Sequence, residues 1–413
     1  MSKVIIIGGG IIGLASAYYL RKQNHEVVVI DKGVPGEACS AGNMGWICPT
    51  LSQPLPSPGL ILSSLKWMLK KENPLYIKPS AMLLLGKWFF NFWKYCNEAS
   101  YTNGVNVGLQ ISKNTLNLFD DLLAEDIMQF ENYKKGLLYV SLDSNELEKK
   151  YEEFIVGERI GLSKPIRKTK EEVLDMEPSL SENVVGGLYL PSERHVRPES
   201  LSKALHRWLE ENGVEFLINH EVTDFEKKMG KIIAVKANSK RIEADHFLLT
   251  AGVWSKHLAK KIGFYLPLTA GKGYSITITS PNVKLNHPLY LGSAGISPFE
   301  DSIRFGGTME FSGVNTNIDS RRVDSIRNLI FNYLKEPLTG SSEEVWSGMR
   351  PMTPDGIPVL GNVPGVSNLF IATGHVMSGV SMSLSTGYIM SELITNGQSV
   401  IDLNAVSPER FLK

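Results

Sequence analysis

The sequence predicts an α/β fold, and its N-terminal residues carry the observations that support this class. Val4–Ile7 is a short run of apolar, β-branched residues, which is typical of a parallel strand buried on both faces. A glycine-rich turn, Gly8–Gly13, follows at once, and Leu14–Gln23 has helical character. A second, mostly apolar run, Glu26–Ile30, ends at Asp31. Strand, turn, helix and strand within about 30 residues predict a Rossmann-type βαβ unit.

The turn reads Gly-x-Gly-x-x-Gly, and each part of this motif has a physical task. Gly8 permits the tight turn, Gly10 lets the backbone approach a pyrophosphate, and Gly13 lets the helix pack against the strand. The helix N-terminus directs N–H groups at the phosphates, and Asp31 can accept hydrogen bonds from ribose hydroxyls. We therefore expect an adenine dinucleotide, although the motif does not separate FAD from NAD. The residues expected to line it are Gly8, Gly10, Ile11, Ile12, Gly13, Asp31 and Lys32.

Composition excludes several classes of protein. The 413 residues are enough for two or three domains, and 43% hydrophobic residues suit a globular core. Lys plus Arg equals Asp plus Glu at 43 each, with no basic run, so nucleic acid is not an expected partner. Cys39, Cys48 and Cys96 are too few for a disulfide framework and lack metal-ligand spacing. They favour reduced thiols in a cytoplasmic protein without a metal site.

The apolar run from Val4 to Leu20 has a second interpretation. With Lys3 before it and Arg21 after it, the run could be a signal peptide or a short membrane anchor. The glycines within it stand at dinucleotide-loop spacing, and a second strand follows. The sequence thus favours a folded N-terminal unit over a targeting segment.

We expect the nucleotide-binding domain to be assembled from pieces that are distant in sequence. Asp245–Thr250 and Leu369–Thr373 are further apolar strands, which run into the turns Ala251–Ser255 and Gly374-His375. Open α/β sheets bind ligands in the crevice where the ends of their strands meet. The other elements expected here are a helix from Pro198 to a stop at Gly213 and the strands Glu215–Ile218 and Lys231–Ala237.

Further motifs follow one another along the chain. They are Ser40–Gly45, Ala251–Ser255, Gly271–Ser275, Trp346–Gly356, and Gly374-His375 with Ser378-Gly379. Together with the N-terminal fingerprint, they resemble the D-amino acid oxidase superfamily of FAD-dependent oxidoreductases over nearly the whole chain. Within that superfamily, the chain is more similar to the bacterial D-amino acid dehydrogenases than to the glycine or sarcosine oxidases.

The resemblance implies a Rossmann-type FAD-binding domain with an inserted α+β substrate domain built on a mixed, largely antiparallel sheet. The expected division gives the FAD-binding domain residues 1–104, 189–265 and 352–413, and the substrate domain residues 105–188 and 266–351. The alternating segments Ser275–Thr279 and Ile303–Gly306 suit such a sheet. Helical stretches near 110–130 and 321–334 would cover it.

Oxidising an amino acid with a flavin requires that the substrate carboxylate be anchored and that the Cα–H face flavin N5. Arg350 is the expected anchor, because a guanidinium matches a carboxylate with two parallel hydrogen bonds and stays charged in a dry pocket. Pro351 restricts the backbone before it, and the position is similar to the substrate-binding arginine of the family's Gly-x-Arg-Pro motif. A structural salt bridge is the alternative role. Tyr274 is either a second carboxylate contact or lid contact, or an ordinary half-buried strand tyrosine.

The segment Gly374–Val380 leaves a strand, passes two glycines and enters a predicted helix, Ser383–Leu393. The N-terminus of that helix would direct N–H groups at the flavin N1–O2 edge, where negative charge develops. A hydride mechanism needs no general base, so the backbone of His375 is expected to matter more than its imidazole. By resemblance, the flavin contacts are Ser40, Asn43, Met44, Gly45, Val222, Ala251, Gly252, Gly374, His375, Val376, Met377, Ser378, Gly379 and Val380.

The expected cofactor is FAD held without a covalent bond. None of the three cysteines falls in the C-terminal half, where covalently flavinylated sarcosine oxidases carry their attachment cysteine. Met377 stands where glycine oxidases carry an arginine, and Met309 stands where sarcosine oxidases place an oxygen-activating lysine. Both differences favour a dehydrogenase that deaminates a D-amino acid and passes the electrons to a quinone or another acceptor.

Other functions stay open at this point. An oxidase for glycine or sarcosine would instead reduce oxygen to hydrogen peroxide. D-proline or D-hydroxyproline would be a cyclic variant of the substrate. A flavin-binding protein without turnover belongs to a different class, and an NAD dehydrogenase is the weakest alternative. The sequence does not indicate an oligomeric state.

The segment Leu60–Trp93 is rich in aromatic residues and lysines, and it is too short and too interrupted to span a bilayer. It is either a helix that lies in the membrane interface near a quinone pool or a core-facing helix that closes the substrate domain. We therefore expect a cytoplasmic protein, with peripheral contact to the cytoplasmic membrane face as the alternative.

Overall fold

The computed structural model describes residues 2–60, 73–124 and 128–412. The helices are α1 (Ile11–Lys22), α2 (Pro79–Leu84), α3 (Gly86–Tyr95), α4 (Glu98–Ser112), α5 (Thr115–Ala124), α6 (Ser144–Phe154), α7 (Lys170–Met176), α8 (Pro198–Glu211), α9 (Ser255–Lys261), α10 (Ser320–Phe331) and α11 (Ser383–Asn396). The strands are β1 (Lys3–Ile7), β2 (Glu26–Ile30), β3 (Trp46–Ile47), β4 (Leu75–Ile77), β5 (Asn132–Tyr133), β6 (Leu137–Ser141), β7 (Ile166–Thr169), β8 (Gly186–Leu190), β9 (Arg194–Val196), β10 (Glu215–Leu217), β11 (Val222–Lys228), β12 (Lys231–Ala237), β13 (Lys240–Glu243), β14 (His246–Leu249), β15 (Thr269–Thr279), β16 (Leu289–Leu291), β17 (Ala294–Pro298), β18 (Ser302–Phe311), β19 (Ser342–Met352), β20 (Val359–Asn362) and β21 (Leu369–Thr373).

The first sheet is the predicted nucleotide-binding sheet, with the strand order β10-β2-β1-β14-β21-β20. Its strands pair in parallel except for β20, which is antiparallel to β21. Val4 and Ile6 pack against helices α1, α8 and α11, while Ile5 and Ile7 pack against a layer that contains β11 and β12. Because both layers exclude water, these apolar strands are buried on both faces as predicted. The predicted strand Lys231–Ala237 is present, but in the covering layer of strands β11–β13 and not in the parallel sheet.

The second sheet has nine strands, most of them antiparallel, as predicted for the substrate domain. Its order is β19-β15-β18-β17-β16-β6-β8-β7, and β4 pairs with β18. Helix α10 packs its apolar side, including Ile326 and Ile330, against Ile276 and Ile303 of the sheet. This confirms the helix predicted near 321–334. Strand β4 lies in the part of the chain that the sequence assigned to the FAD-binding domain, yet its backbone completes this second sheet.

The helical stretch predicted near 110–130 is present, but the prediction that it covers the second sheet is wrong. The chain forms two helices there, because α4 ends at Ser112 and α5 runs from Thr115 to Ala124, and residues 125–127 lie outside the described residues. The apolar side of α5, with Phe119, belongs to the core beneath the first sheet. Thr115 also hydrogen-bonds Ser385 of α11 at 2.8 Å. Helical periodicity reveals an apolar face, but it does not identify the element that buries it.

The aromatic segment Leu60–Trp93 is not a single helix. Residues 61–72 lie outside the described residues, and the rest forms β4, α2 and α3. Trp88 of α3 is buried whereas Phe90 and Trp93 are exposed, so this helix faces the core on one side only. Among the helices that the structure describes, none is long and apolar enough to cross a membrane.

Candidate functional site

A cavity of about 1120 Å³ lies between the two sheets. Its walls come from the carboxyl ends of β1, β14 and β21 on one side and from β15, β18 and β19 on the other. The predicted site residues on these walls are Gly8, Gly10, Ile11, Ile12, Asp31, Lys32, Ser40, Asn43, Met44, Val222, Ala251, Gly252, Tyr274, Arg350, His375, Val376, Met377, Ser378, Gly379 and Val380. Gly13, Gly45 and Gly374 are not on the walls. Gly13 lies in the first turn of α1, and Gly45 and Gly374 adopt a positive φ in the turns next to the cavity.

The glycine turn between β1 and α1 has the shape that a phosphate cradle needs. Gly8 has a φ of +112°, and a Cβ there would lie 2.8 Å from the backbone of Thr250. A Cβ on Gly13 would lie 2.0 Å from the carbonyl oxygen of Gly8, so only glycine lets α1 begin this close to β1. At Gly10, by contrast, a Cβ would meet only Ser40 Oγ, at 3.6 Å. The space over Gly10 is therefore free for a ligand, as the fingerprint requires.

Asp31 follows β2 and is held by two backbone N–H groups. Its Oδ2 accepts from Gly9 N at 2.6 Å, and its Oδ1 accepts from Gly33 N at 2.8 Å. Burial raises the pKa of this carboxyl group, while the two N–H groups act against that rise. Each oxygen retains a second lone-pair direction, so the carboxylate can still accept a hydrogen bond from a ribose hydroxyl.

Arg304 anchors the loop Ser40–Gly45 by hydrogen bonds, although it was not among the predicted site residues. Arg304 Nη1 donates to the carbonyl oxygens of Ala41 at 2.6 Å and Asn43 at 3.0 Å. The other side of the guanidinium pairs with Glu199 at the start of α8. No local pattern marks Arg304, because it occupies an ordinary strand position and its partners in the loop and at Glu199 are more than 100 residues away.

Arg350 on β19 presents a partly buried guanidinium to the cavity. Its guanidinium lies over Gly273, where a Cβ would be 2.2 Å from Nη2, and Nη1 donates to the Thr308 carbonyl at 2.9 Å. No carboxylate of the described residues forms an ion pair with it. Burial lowers its pKa to about 10, so the group stays charged at neutral pH. An anionic ligand would supply the missing counter-charge.

The structure does not place the Tyr274 hydroxyl beside Arg350, although Tyr274 contributes to the cavity wall. Gly271 pairs with Arg350 across β15 and β19, so strand alternation directs the Tyr274 side chain to the opposite face of the sheet. There its hydroxyl donates to Glu310 at 2.7 Å, and Glu310 pairs with Lys272 at 3.0 Å. We therefore correct the prediction that Tyr274 is a second carboxylate contact. Its place is that of a buried strand tyrosine.

Two residues with an unfavourable backbone conformation flank Arg350. Thr308 has a φ of +64° and stands at a bulge where the pairing of β18 with β15 shifts, and its carbonyl oxygen contacts the guanidinium. Val376 has a φ of +50°, and its N–H donates to the Pro351 carbonyl at 3.2 Å. β-Branched residues rarely adopt this conformation, so the surrounding contacts must enforce it. Thr308 was not among the predicted site residues, because a bulge depends on which strands pair and in which register.

The His375 side chain anchors the turn Gly374–Val380 to helix α11. His375 Nε2 hydrogen-bonds Thr386 Oγ1 of α11 at 2.9 Å, and burial lowers the pKa of the imidazole to about 4. A neutral ring fixed to α11 agrees with the expectation that the backbone of this residue matters more than its imidazole. On the other side, Asn43 Nδ2 donates to the Met377 carbonyl at 3.4 Å, which ties the turn to the loop Ser40–Gly45.

Comparisons with known proteins find relatives along the whole chain. The model of the FAD dependent oxidoreductase family, DAO, matches residues 3–393. D-amino acid dehydrogenases from Neisseria meningitidis serogroup C / serotype 2a and from Vibrio atlanticus are each 30% identical to this chain. Both matches cover 99% of this chain, together with 99% of the Neisseria protein and 100% of the Vibrio protein. Among solved structures, glycine oxidase from Geobacillus kaustophilus has a TM-score of 0.80 at 22% identity, with 100% of both chains covered. L-proline dehydrogenase from P. horikoshii has a TM-score of 0.77 at 19% identity, with 100% of this chain and 98% of that chain covered.

Proposed function

This chain belongs to the DAO family of FAD-dependent oxidoreductases, and from that membership we propose that it is a D-amino acid dehydrogenase. The reaction would remove a hydride from Cα and a proton from the amine, and water would then hydrolyse the imino acid to a keto acid and ammonia. Relatives with this name at 30% identity support the substrate class. The observation in the structure that carries the proposal is the guanidinium of Arg350, which lines the cavity and forms no ion pair with a carboxylate of the described residues.

The residues of the cavity fit FAD. The open space over Gly10 and the carboxylate of Asp31 would hold the adenosine diphosphate half. The loop Ser40–Gly45 and the turn Gly374–Val380 would hold the isoalloxazine half, and the Asn43–Met377 hydrogen bond fixes their spacing. When bound there, FAD supplies the acceptor for the hydride and its two electrons.

Arg350 would hold the substrate carboxylate through two hydrogen bonds. The Thr308 carbonyl already occupies one N–H of Nη1, which sets the orientation of the guanidinium plane and leaves other N–H groups for the substrate. Because the guanidinium is partly withdrawn from water, this ion pair would be stronger than one in solvent. We assign no general base, since the His375 ring is bound to Thr386.

We further propose that the electrons pass to a quinone at the cytoplasmic face of a membrane. Leu83, Leu84, Phe90 and Trp93 of helices α2 and α3 are exposed, although they are large and apolar. Exposed apolar groups of this kind mark interaction surfaces, and aromatic residues beside lysines suit a membrane interface. In a vesicle co-sedimentation assay, wild-type protein should bind and the double variant Leu83→Ser, Leu84→Ser should stay in solution with unchanged activity towards a soluble dye.

Anaerobic mixing tests the proposed reaction. The yellow holoprotein should lose its flavin colour with D-amino acids and keep it with the L-enantiomers. Turnover should be faster with a quinone analogue than with oxygen, and little hydrogen peroxide should form. Colour that survives every amino acid would refute the proposal, and peroxide formed in step with substrate loss would favour the oxidase alternative.

A further inference from the structure

The cavity contains an apolar region that begins at Arg350. Met309 and Phe311 of β18 stand on the same face of the second sheet as the guanidinium, and Met309 Sδ lies 3.7 Å from Arg350 Nη1. Strand β4 pairs with this end of β18 and adds Ile77, and helix α3 closes the region from the other side. We call this region the apolar lobe, and its members are Ile77, Trp88, Phe89, Phe92, Met309 and Phe311.

The missing side chain of Gly271 helps to make this region. A Cβ on Gly271 would lie 2.5 Å from Met309 Sδ and 2.2 Å from Met352 Sδ. With glycine at this position, both sulfur atoms lie against the strand and do not fill the cavity. The two glycines of β15 thus have separate tasks, since Gly273 accommodates the guanidinium and Gly271 accommodates the methionines.

The aromatic rings of the apolar lobe are packed in defined orientations. Trp88 stacks on Phe92 with 5.3 Å between ring centroids and 23° between planes. Phe89 meets Phe311 edge-on at 5.2 Å. Trp88 Nε1 donates to the Pro267 carbonyl at 3.1 Å, so the polar atom of the indole already has a partner. The lobe therefore presents rigid apolar surface to a ligand.

The ionised side chains on the rest of the described cavity wall are accounted for elsewhere. Asp31, Lys32 and Glu221 stand at the dinucleotide end, and Lys150 and Glu153 of α6 form an ion pair with each other. A charged substrate side chain that entered the apolar lobe would lose its hydration without gaining a counter-charge from the described residues of the lobe. An apolar side chain would gain from leaving water.

We propose that the apolar lobe is the subsite for the substrate side chain, and that the preferred substrate is an amino acid with a bulky apolar or aromatic side chain. The inference rests on the proposed function, because a carboxylate bound to Arg350 brings the substituents of Cα within reach of Met309. Burying a leucine- or phenylalanine-sized side chain corresponds to a kcat/KM about 10- to 100-fold above that of D-alanine. D-aspartate and D-lysine are expected to be poorer than D-alanine.

Helix α3 offers a matched pair of variants for the test. Phe92 lines the cavity, whereas Phe90 is 52% exposed and does not line it. With the holoprotein and a dye acceptor, Phe92→Ala should lower kcat/KM for D-phenylalanine about tenfold and leave D-alanine within twofold. Phe92→Leu should restore most of the loss because it refills the volume with apolar atoms. Phe90→Ala should change neither substrate. Bound FAD and the melting temperature are measured for each variant, so that a folding defect is detected.

Each outcome decides the assignment. A loss confined to large apolar substrates in Phe92→Ala, with rescue by Phe92→Leu, supports it. Equal losses for D-phenylalanine and D-alanine, or a wild-type preference for D-aspartate or D-lysine, would overturn it while leaving D-amino acid oxidation established. A holoprotein that no amino acid reduces would overturn the proposed function and the subsite together.

Discussion

Replacing Arg350 with methionine removes the charge of the expected carboxylate anchor while keeping a long, flexible side chain. Truncating one partner of a buried charge pair costs about 2–4 kcal/mol, which corresponds to a kcat/KM about 30- to 1000-fold lower. The loss should appear mainly in KM, because the carboxylate contact is made before and during the reaction. FAD content should not change, since the described contacts of Arg350 are with Thr308 and Met309.

The same substitution should not destabilise the substrate-free protein. Burial lowers the pKa of Arg350 to about 10, well below its ordinary value, and a fall of this size corresponds to about 3 kcal/mol of unfavourable free energy for the charged form. Removing this charge relieves that cost, so the melting temperature of Arg350→Met should equal or exceed that of wild type. Lost catalysis with retained stability is what distinguishes an anchor for substrate from a structural arginine.

The assay is anaerobic flavin reduction in a stopped-flow instrument, followed over a range of D-amino acid concentrations. Arg350→Lys is the matched control, because it keeps a positive charge but cannot form the bidentate contact. It should fall between wild type and Arg350→Met. If Arg350→Met retains kcat/KM within threefold of wild type, or if it unfolds at a clearly lower temperature, then the assignment of Arg350 as the carboxylate anchor is wrong.

Three further predictions concern the cofactor end of the cavity and the turn behind it. Gly10→Ala should raise the Kd for FAD at least tenfold, because its Cβ would occupy space that the ligand needs. The melting temperature of the apoprotein should not fall, because the nearest protein atom to this Cβ would be Ser40 Oγ at 3.6 Å. An unchanged Kd for FAD would contradict the role of Gly10 in the phosphate cradle. Arg304→Met should lower the melting temperature by several degrees and weaken FAD binding, because the loop Ser40–Gly45 loses its anchor and the partly buried Glu199 loses its partner. Adding Glu199→Gln to Arg304→Met should recover part of the stability but not the FAD affinity. Full recovery of both would show that the loop Ser40–Gly45 does not need Arg304. Burial lowers the pKa of His375 to about 4 in the folded state, whereas its value in the unfolded state is near 6.5. As the pH drops from 6.5 to 4, the unfolded state takes up the proton first, so the free energy of unfolding falls by about 3 kcal/mol. Denaturant titrations should show a flatter dependence of this free energy on pH for His375→Gln, and the same dependence as in wild type would refute the prediction.

Several expectations from the sequence depended only on neighbouring residues, and these are the ones that the structure confirms most closely. The βαβ unit was predicted because the glycine spacing, the helical segment and the two apolar strands follow one another within a short stretch. Helix α8, with Pro198 at its first position, and helix α11 were predicted from similar local signals. The mixed, largely antiparallel second sheet followed from the resemblance to a known family and from alternating segments.

The expectations that failed depended on which distant segments meet. The face on which Tyr274 lies is set by the pairing of Gly271 with Arg350 and by the bulge at Thr308, and neither can be read from the residues around Tyr274. The apolar side of α5 was visible in the sequence, but its partner α11 lies more than 200 residues further along the chain.

The sequence by itself determined the dinucleotide turn and the elements around it, because steric limits on glycine, strand alternation and helix periodicity act over a few residues. Arg350 was predicted from the chemistry of its guanidinium and from the resemblance to a family motif. Only the tertiary structure decided that Arg350 has no counter-charge among the described residues, that Arg304 anchors the loop Ser40–Gly45, and that an apolar lobe adjoins the guanidinium. These properties depend on burial and on the distances between atoms of remote segments, and the free energy that fixes them arises when water is excluded as the two sheets close around the cavity.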